Sequence, residues 1–123
     1  MRQGALISVV DDDVSSRESL PDLLQTFGYS TVTFATAEDF LASTALGDTQ
    51  CLLLDVSLPG MSGPELQLEL SRRDLKIPII FITAHRDQNL RAELLARGAV
   101  ECLFKPFREQ DLRAALDRVP GVA

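Results

Sequence analysis

Short apolar runs alternate along this chain with longer stretches whose apolar positions recur at helical spacing. The runs lie near Leu6–Val10, Thr31–Phe34, Cys51–Leu54, Ile79–Ile82 and Glu101–Phe104. The first, third and fourth are almost continuously apolar, the pattern of a strand buried on both faces of a parallel sheet. The second is interspersed with Thr31, Thr33 and Thr36 and reads as an edge strand. Between the runs, Leu20, Leu23, Leu24 and Phe27 fall at i, i+3, i+4 and i+7, with Gly28 as a stop. Leu112, Ala115, Leu116 and Val119 repeat that spacing in a last helix that ends before Pro120-Gly121. Gly98 closes a helix containing Leu90, Leu94 and Leu95. Strands alternating with amphipathic helices predict an α/β fold built on a mostly parallel sheet.

Three places need arbitration. Leu66, Leu68 and Leu70 alternate with polar residues, a strand-like period, but Ser62-Gly63-Pro64-Glu65 is a good helix start with its proline early. The prediction is a helix that leaves Leu68 off the buried face. Ser15-x-x-Glu18 has the spacing of a capping box for the first helix. Pro21 lies inside that helix and predicts a kink or a delayed start.

The chain has 123 residues, one domain's worth, enough to bury about two-thirds of its unfolded surface. No internal repeat, low-complexity tract or linker divides it. No stretch approaches the ~20 apolar residues of a membrane span. Met1-Arg2-Gln3-Gly4 leads into the first strand without the features of a signal peptide, so a cytoplasmic protein with no membrane partner is expected. The net charge of −6 and the lack of any basic cluster longer than Arg72-Arg73 argue against direct nucleic-acid binding. Cys51 and Cys102 sit in apolar runs without a C-x-x-C partner and read as reduced core thiols.

The chemistry gathers where the runs end. Asp11, Asp12 and Asp13 follow the first strand, Asp55 the third, Thr83 the fourth and Lys105 the fifth. Ligand sites of open α/β sheets form outside the carboxyl ends of the strands, so these groups would share one rim. Adjacent carboxylates repel one another, and a hard divalent cation such as Mg²⁺ relieves that repulsion. Asp55 stands before a Pro/Gly-rich loop, Val56–Gly63, which is expected to keep the acid exposed at a strand end, where its carboxylate can attack phosphorus and form an acyl phosphate. Lys105 would neutralise charge on the transferring group and Thr83 would hydrogen-bond a phosphoryl oxygen. Asp13, nearest the helix, reads equally well as a helix cap.

Val9-Val10-Asp11-Asp12-Asp13, Leu54-Asp55-x-x-Leu58-Pro59-Gly60-Met61-x-Gly63, Ile82-Thr83-Ala84 and Phe104-Lys105-Pro106-Phe107 together resemble the signature of bacterial response-regulator receiver domains. The resemblance spans the chain and keeps the family's motif order. Thr83-Ala84-His85 and Lys105-Pro106-Phe107 look closest to the FixJ-type branch. It implies a flavodoxin-like three-layer fold, strand order 2-1-3-4-5, with helices on both faces. It implies that Asp55 takes a phosphoryl group from a phosphohistidine on a sensor kinase. Mg²⁺, for which Mn²⁺ can substitute, would be held by Asp12, Asp55 and the backbone carbonyl of Ser57, with Asp11 acting largely through water. Thr83 and Lys105 would contact the phosphoryl oxygens, and the Lys105-Pro106 bond would be cis. Output would pass through the fourth helix, fifth strand and fifth helix, a face that in the family often forms phosphorylation-dependent dimers. FixJ-type relatives carry a C-terminal helix-turn-helix domain, so residues 1–123 are expected to be the regulatory part of a longer transcriptional regulator.

One departure stands out. The family usually has Tyr or Phe three positions before the lysine, and Cys102 stands there. A thiol cannot fill or vacate a ring-sized space, so the switch is expected to run through loop and helix rearrangement near Thr83. Phe104 shares the parity of Cys102 along the strand. The resemblance places Ser57 where the family varies dephosphorylation rate and Pro21 on the helix that docks the kinase. His85, two residues past Thr83, reads either as a group tuning water access to an acyl phosphate or as a solvent-facing loop residue. Two other classes compete. A haloacid-dehalogenase-type hydrolase would need an acid two residues past Asp55, where Ser57 stands, and a longer chain. A phosphorylation-independent pseudo-receiver usually loses an acid, the acceptor or the lysine, and this chain keeps all of them.

Overall fold

The computed structural model describes residues 4–122, so Met1–Gln3 of the N-terminal reading lie outside the described residues. Five strands, β1 (Leu6–Val10), β2 (Ser30–Phe34), β3 (Cys51–Asp55), β4 (Ile79–Thr83) and β5 (Glu101–Phe104), form one parallel sheet. Its order is β2-β1-β3-β4-β5, the flavodoxin-like arrangement, with the Thr-rich β2 at an edge. Five helices follow the strands: α1 (Val14–Thr26), α2 (Ala37–Ala42), α3 (Gly63–Arg72), α4 (Gln88–Ala96) and α5 (Glu109–Asp117).

Successive side chains of a strand point to opposite faces, and here this period of two divides the core. Ile7, Val9, Leu53, Ile80 and Ile82 face α1 and α5, which contribute Leu20, Leu24, Phe27, Leu112 and Leu116. Val10, Leu52, Leu54, Phe81 and Cys102 face the other way, against Phe40 of α2, Leu66 and Leu70 of α3 and Leu94 of α4. The three central strands are therefore apolar on both faces, as their runs predicted. Apart from Asp55 and Thr83 at the strand ends, Ser8 is the buried polar exception. Its hydroxyl meets that of Thr49 at 2.6 Å, which in turn donates to the Ala45 carbonyl at 2.7 Å.

The residues 63–72 segment is a helix, started by a capping box. Glu65 N donates to Ser62 Oγ at 3.2 Å, and Ser62 N to Glu65 Oε1 at 2.9 Å. Leu66 and Leu70 are buried and Leu68 is 51 % exposed. Two expectations for α1 need correction. The cap is Asp13, whose Oδ1 accepts from Ser15 N at 3.0 Å, so the Ser15-x-x-Glu18 box does not form. The third acid caps the helix two residues earlier than Ser15 could. Pro21 does not delay the helix, which runs from Val14 through it to Thr26. Its missing N–H leaves the Arg17 carbonyl without that intrahelical donor.

Candidate functional site

The sheet register sets the site. Val10 lies opposite Leu54, which puts Asp11 level with Asp55, and Asp55 lies opposite Ile82, one residue short of Thr83. Thr83 lies opposite Phe104, so Lys105 leaves the sheet at the same rim. Carboxylate oxygens of Asp11, Asp12 and Asp55 all come within 4.8 Å of one another. The convergence expected of four separate strand ends is present.

Surroundings differentiate the two buried acids. Asp11 is fully buried and its Oδ2 accepts from Lys105 Nζ at 2.8 Å, while its Oδ1 accepts from the Asp13 amide at 3.0 Å. Burial alone would raise its proton affinity, but the lysine and the amide outweigh it and hold the carboxyl below its ordinary value. Contrary to the expectation of an exposed acid, Asp55 is only 7 % exposed, closed in by the sheet rim, and its one backbone donor is the Ser57 amide at a long 3.3 Å. Burial first, then the hydrogen bond and negative charge of Asp11, push its carboxyl up to about 7. Asp12 is exposed at the mouth. Hard oxygen donors crowded this closely, one of them short of positive partners, fit a divalent cation of the Mg²⁺ type.

Thr83 is buried, and its hydroxyl accepts from the His85 amide at 3.0 Å. The His85 side chain itself is exposed, as is Ser57. The Lys105 amide donates to the Thr83 carbonyl at 2.7 Å, and the Lys105-Pro106 bond is cis. Asp13, the cap of α1, has a structural role.

Two contributors were missed. Ser16 Oγ accepts from Lys105 Nζ at 3.3 Å, giving the ammonium a second partner. Arg17 donates from its guanidinium to the Asp11 carbonyl at 3.0 Å, bracing the strand end behind the acid pair. Neither has a signal in the sequence, because both act through a turn of α1 whose phase depends on where the cap falls. Gly63 belonged to the motif, and its reason is now visible. A Cβ there would lie 2.3 Å from the Asp55 carbonyl oxygen, so only glycine lets α3 begin against the acid's own backbone.

Cys102 is buried beside the α4 residue Leu94 in the second core. Phe104 lies in the same cluster, partly buried, with the Arg86 guanidinium 5.9 Å from its ring centre. The common parity is real, but the space three positions before Lys105 holds a thiol.

A parallel sheet in this order with an acid cluster, a hydroxyl and a lysine on its carboxyl rim defines a flavodoxin-like α/β domain with a candidate cation site at its switch point. The chain belongs to the response regulator receiver domain family, whose profile matches residues 7–117. It is thus a receiver domain of two-component response regulators. Nodulation protein W of Bradyrhizobium diazoefficiens is 46% identical over 112 residues, covering 91% of this chain and 49% of that protein. Transcriptional regulatory protein FixJ of Azorhizobium caulinodans is 36% identical over 116 residues, 94% of this chain and 55% of that one. The solved structure of response regulator StyR superposes with a TM-score of 0.85 at 44% identity, covering 93% of this chain and 58% of StyR. The chain spans about half the length of the curated relatives it matches. Among the described residues no helix is long and apolar enough to cross a membrane.

Proposed function

We propose that Asp55 is the phosphoacceptor, taking a phosphoryl group from the phosphohistidine of a sensor kinase. The P–N bond to the kinase imidazole breaks as a P–O bond forms to a carboxylate oxygen of Asp55, and the imidazole takes up a proton. The observation that carries this reading is the unequal treatment of two neighbouring acids. Lys105 sits on Asp11, while Asp55 is buried at the rim with one weak donor. Asp12, Asp55 and the Ser57 carbonyl would hold Mg²⁺, with Asp11 acting through water. The cation, with Mn²⁺ as a substitute, supplies charge neutralisation on the transferring group. Lys105 can turn from Asp11 Oδ2 towards a phosphoryl oxygen without leaving the rim. Thr83 has to exchange the His85 amide for the phosphoryl group, which moves the start of the β4–α4 loop. With Cys102 in place of a ring, that loop and α4 carry the signal.

The domain regulates its own phosphorylation state and does no other chemistry. It is the N-terminal regulatory part of a longer cytoplasmic transcriptional regulator with a C-terminal helix-turn-helix domain. Its partners are the kinase and a second copy through α4, β5 and α5, and it makes no direct contact with nucleic acid or membrane. Beryllofluoride with Mg²⁺, a phosphoryl mimic, tests the reading. It should raise the thermal unfolding midpoint of the wild type and shift its sedimentation towards dimer. The same response from Asp55→Asn would contradict it.

A further inference from the structure

Glu38, in the first turn of α2, reaches across to the β3–α3 loop, residues 56–62. Its Oε2 accepts from the Met61 amide at 2.9 Å, a contact between positions 23 apart in the chain. The same carboxylate lies against Gly60, where an added Cβ would meet Oε2 at 2.5 Å. Gly60 has φ +70°, a backbone conformation that disfavours other residues independently of space. The acid from α2 is thus seated against a glycine of the loop and holds the amide that follows it. Glu38 is exposed, so it contributes nothing to the core, while its neighbours Ala37 and Phe40 are buried and anchor α2 to the sheet. The carboxylate is thus presented from a fixed element to a loop that starts at Asp55.

What the clasp holds is specific. The loop leaves Asp55, turns at Ser57, whose amide touches Asp55, and re-enters helix at Ser62-Gly63 against the Asp55 carbonyl. The α3 end is fixed by the capping box and the close approach of Gly63. Glu38 fixes the remaining span at Gly60-Met61. A loop that must become ordered when a ligand binds spends part of the binding free energy on that ordering, and one already held does not.

We propose that Glu38 is a positioning residue for the reaction on Asp55, clasping Gly60-Met61 so that the loop presents the Ser57 carbonyl to the metal. This rests on the Asp55 and Mg²⁺ reading above. A positioning role predicts weaker metal response with unchanged chemistry once metal saturates. It also predicts that Gln, which keeps an acceptor of the same shape, replaces Glu.

The test compares wild type, Glu38→Ala and Glu38→Gln in the whole chain. In metal-free protein, Met61 amide hydrogen exchange should be roughly threefold to tenfold faster in Glu38→Ala, the range expected for losing one partly exposed hydrogen bond, and near wild type in Glu38→Gln. With acetyl phosphate as donor, half-saturating Mg²⁺ should rise by a similar factor in the Ala variant, while the rate at saturating Mg²⁺ stays the same. Equal Met61 exchange and equal Mg²⁺ response in wild type and Glu38→Ala would overturn the proposal. So would a lower saturated rate that tracks a lower unfolding midpoint, the mark of a merely structural role. If wild type takes up no phosphoryl group, the Asp55 reading fails, and the Met61 exchange still reports whether the clasp exists.

Discussion

Asp11 and Asp55 carry the same functional group a few ångströms apart, and their neighbours give them opposite protonation behaviour. The Lys105 ammonium and the Asp13 amide keep Asp11 ionised, and that ionised acid helps push Asp55 up to about 7. Two consequences are measurable. A proton on Asp55 competes with the metal, so apparent Mg²⁺ affinity should fall about tenfold per pH unit below about 7 and level off above it. Titrating binding calorimetrically between pH 5.5 and 8.5, about the range in which that group changes charge, checks this. For stability the sign follows from linkage. Between the unfolded value of about 4 and the folded value of about 7, the native state holds the extra proton, so the Asp55 contribution is lost as pH rises through that window. Asp11, lowered in the native state, contributes the other way, losing stability only as pH falls through its depressed value. Metal-free wild type should therefore be less stable at pH 8 than at pH 6, roughly the two sides of the Asp55 transition, and Asp55→Asn should remove that loss. At pH 8 the variant should be stabilised by about 1–3 kcal/mol in urea unfolding, since it relieves a buried like-charge contact. The site acids and lysine were legible in the sequence because strand ends set their position. Ser16 and Arg17 were not, because their reach depends on helical phase.

At the scale of elements, the β3–α3 connection is the tightest constraint. A Cβ at Gly63 would collide with the Asp55 carbonyl oxygen, which is backbone and cannot turn aside. Gly63→Ala should lower unfolding free energy by ~1–3 kcal/mol, the range for a forced backbone shift beside a packed core, and slow phosphorylation by displacing Asp55. Denaturant titration and acetyl phosphate kinetics read both effects. The same element shows why the sequence reading succeeded where period failed. Leu66, Leu68 and Leu70 alternate as in a strand, but Ser62 and Glu65 commit the chain to a helix before the first leucine. The opposite happened at α1, where Asp13 and Ser15 are both good caps and the acid that ends the strand turn took the place. The six residues of α2 are too few for helical spacing to register, so Glu38 carried no signal. In β5, Cys102→Tyr would restore a ring three positions before Lys105. It should cost about 1–3 kcal/mol through overpacking of a buried site. The beryllofluoride-induced shift in sedimentation should nevertheless become larger than in wild type. An unchanged shift would mean that α4 and its loop do not use that space.

Across the whole molecule, the parallel sheet brings the ends of four strands, β1, β3, β4 and β5, which are far apart in sequence, to one rim. Asp11, Asp55, Thr83 and Lys105 span residues 11–105, so the site exists only in the folded domain. On the face of α4, β5 and α5, the proposed route for output, Glu101 pairs with Arg91 of α4 at 2.5 Å and with Arg118, just past α5, at 3.1 Å. Those pairs tie the face together within one copy, and under the proposed reading a rearrangement at Thr83 would reach them through the β4–α4 loop. All of this depends on Asp55 being where the phosphoryl group lands. The most direct measurement is intact mass after incubation with acetyl phosphate, with and without Mg²⁺, for wild type and Asp55→Asn. The account predicts one labile phosphoryl adduct on wild type, only with Mg²⁺, and none on the variant. An adduct on Asp55→Asn equal to that on wild type, or no adduct on wild type with Mg²⁺ present, would contradict it.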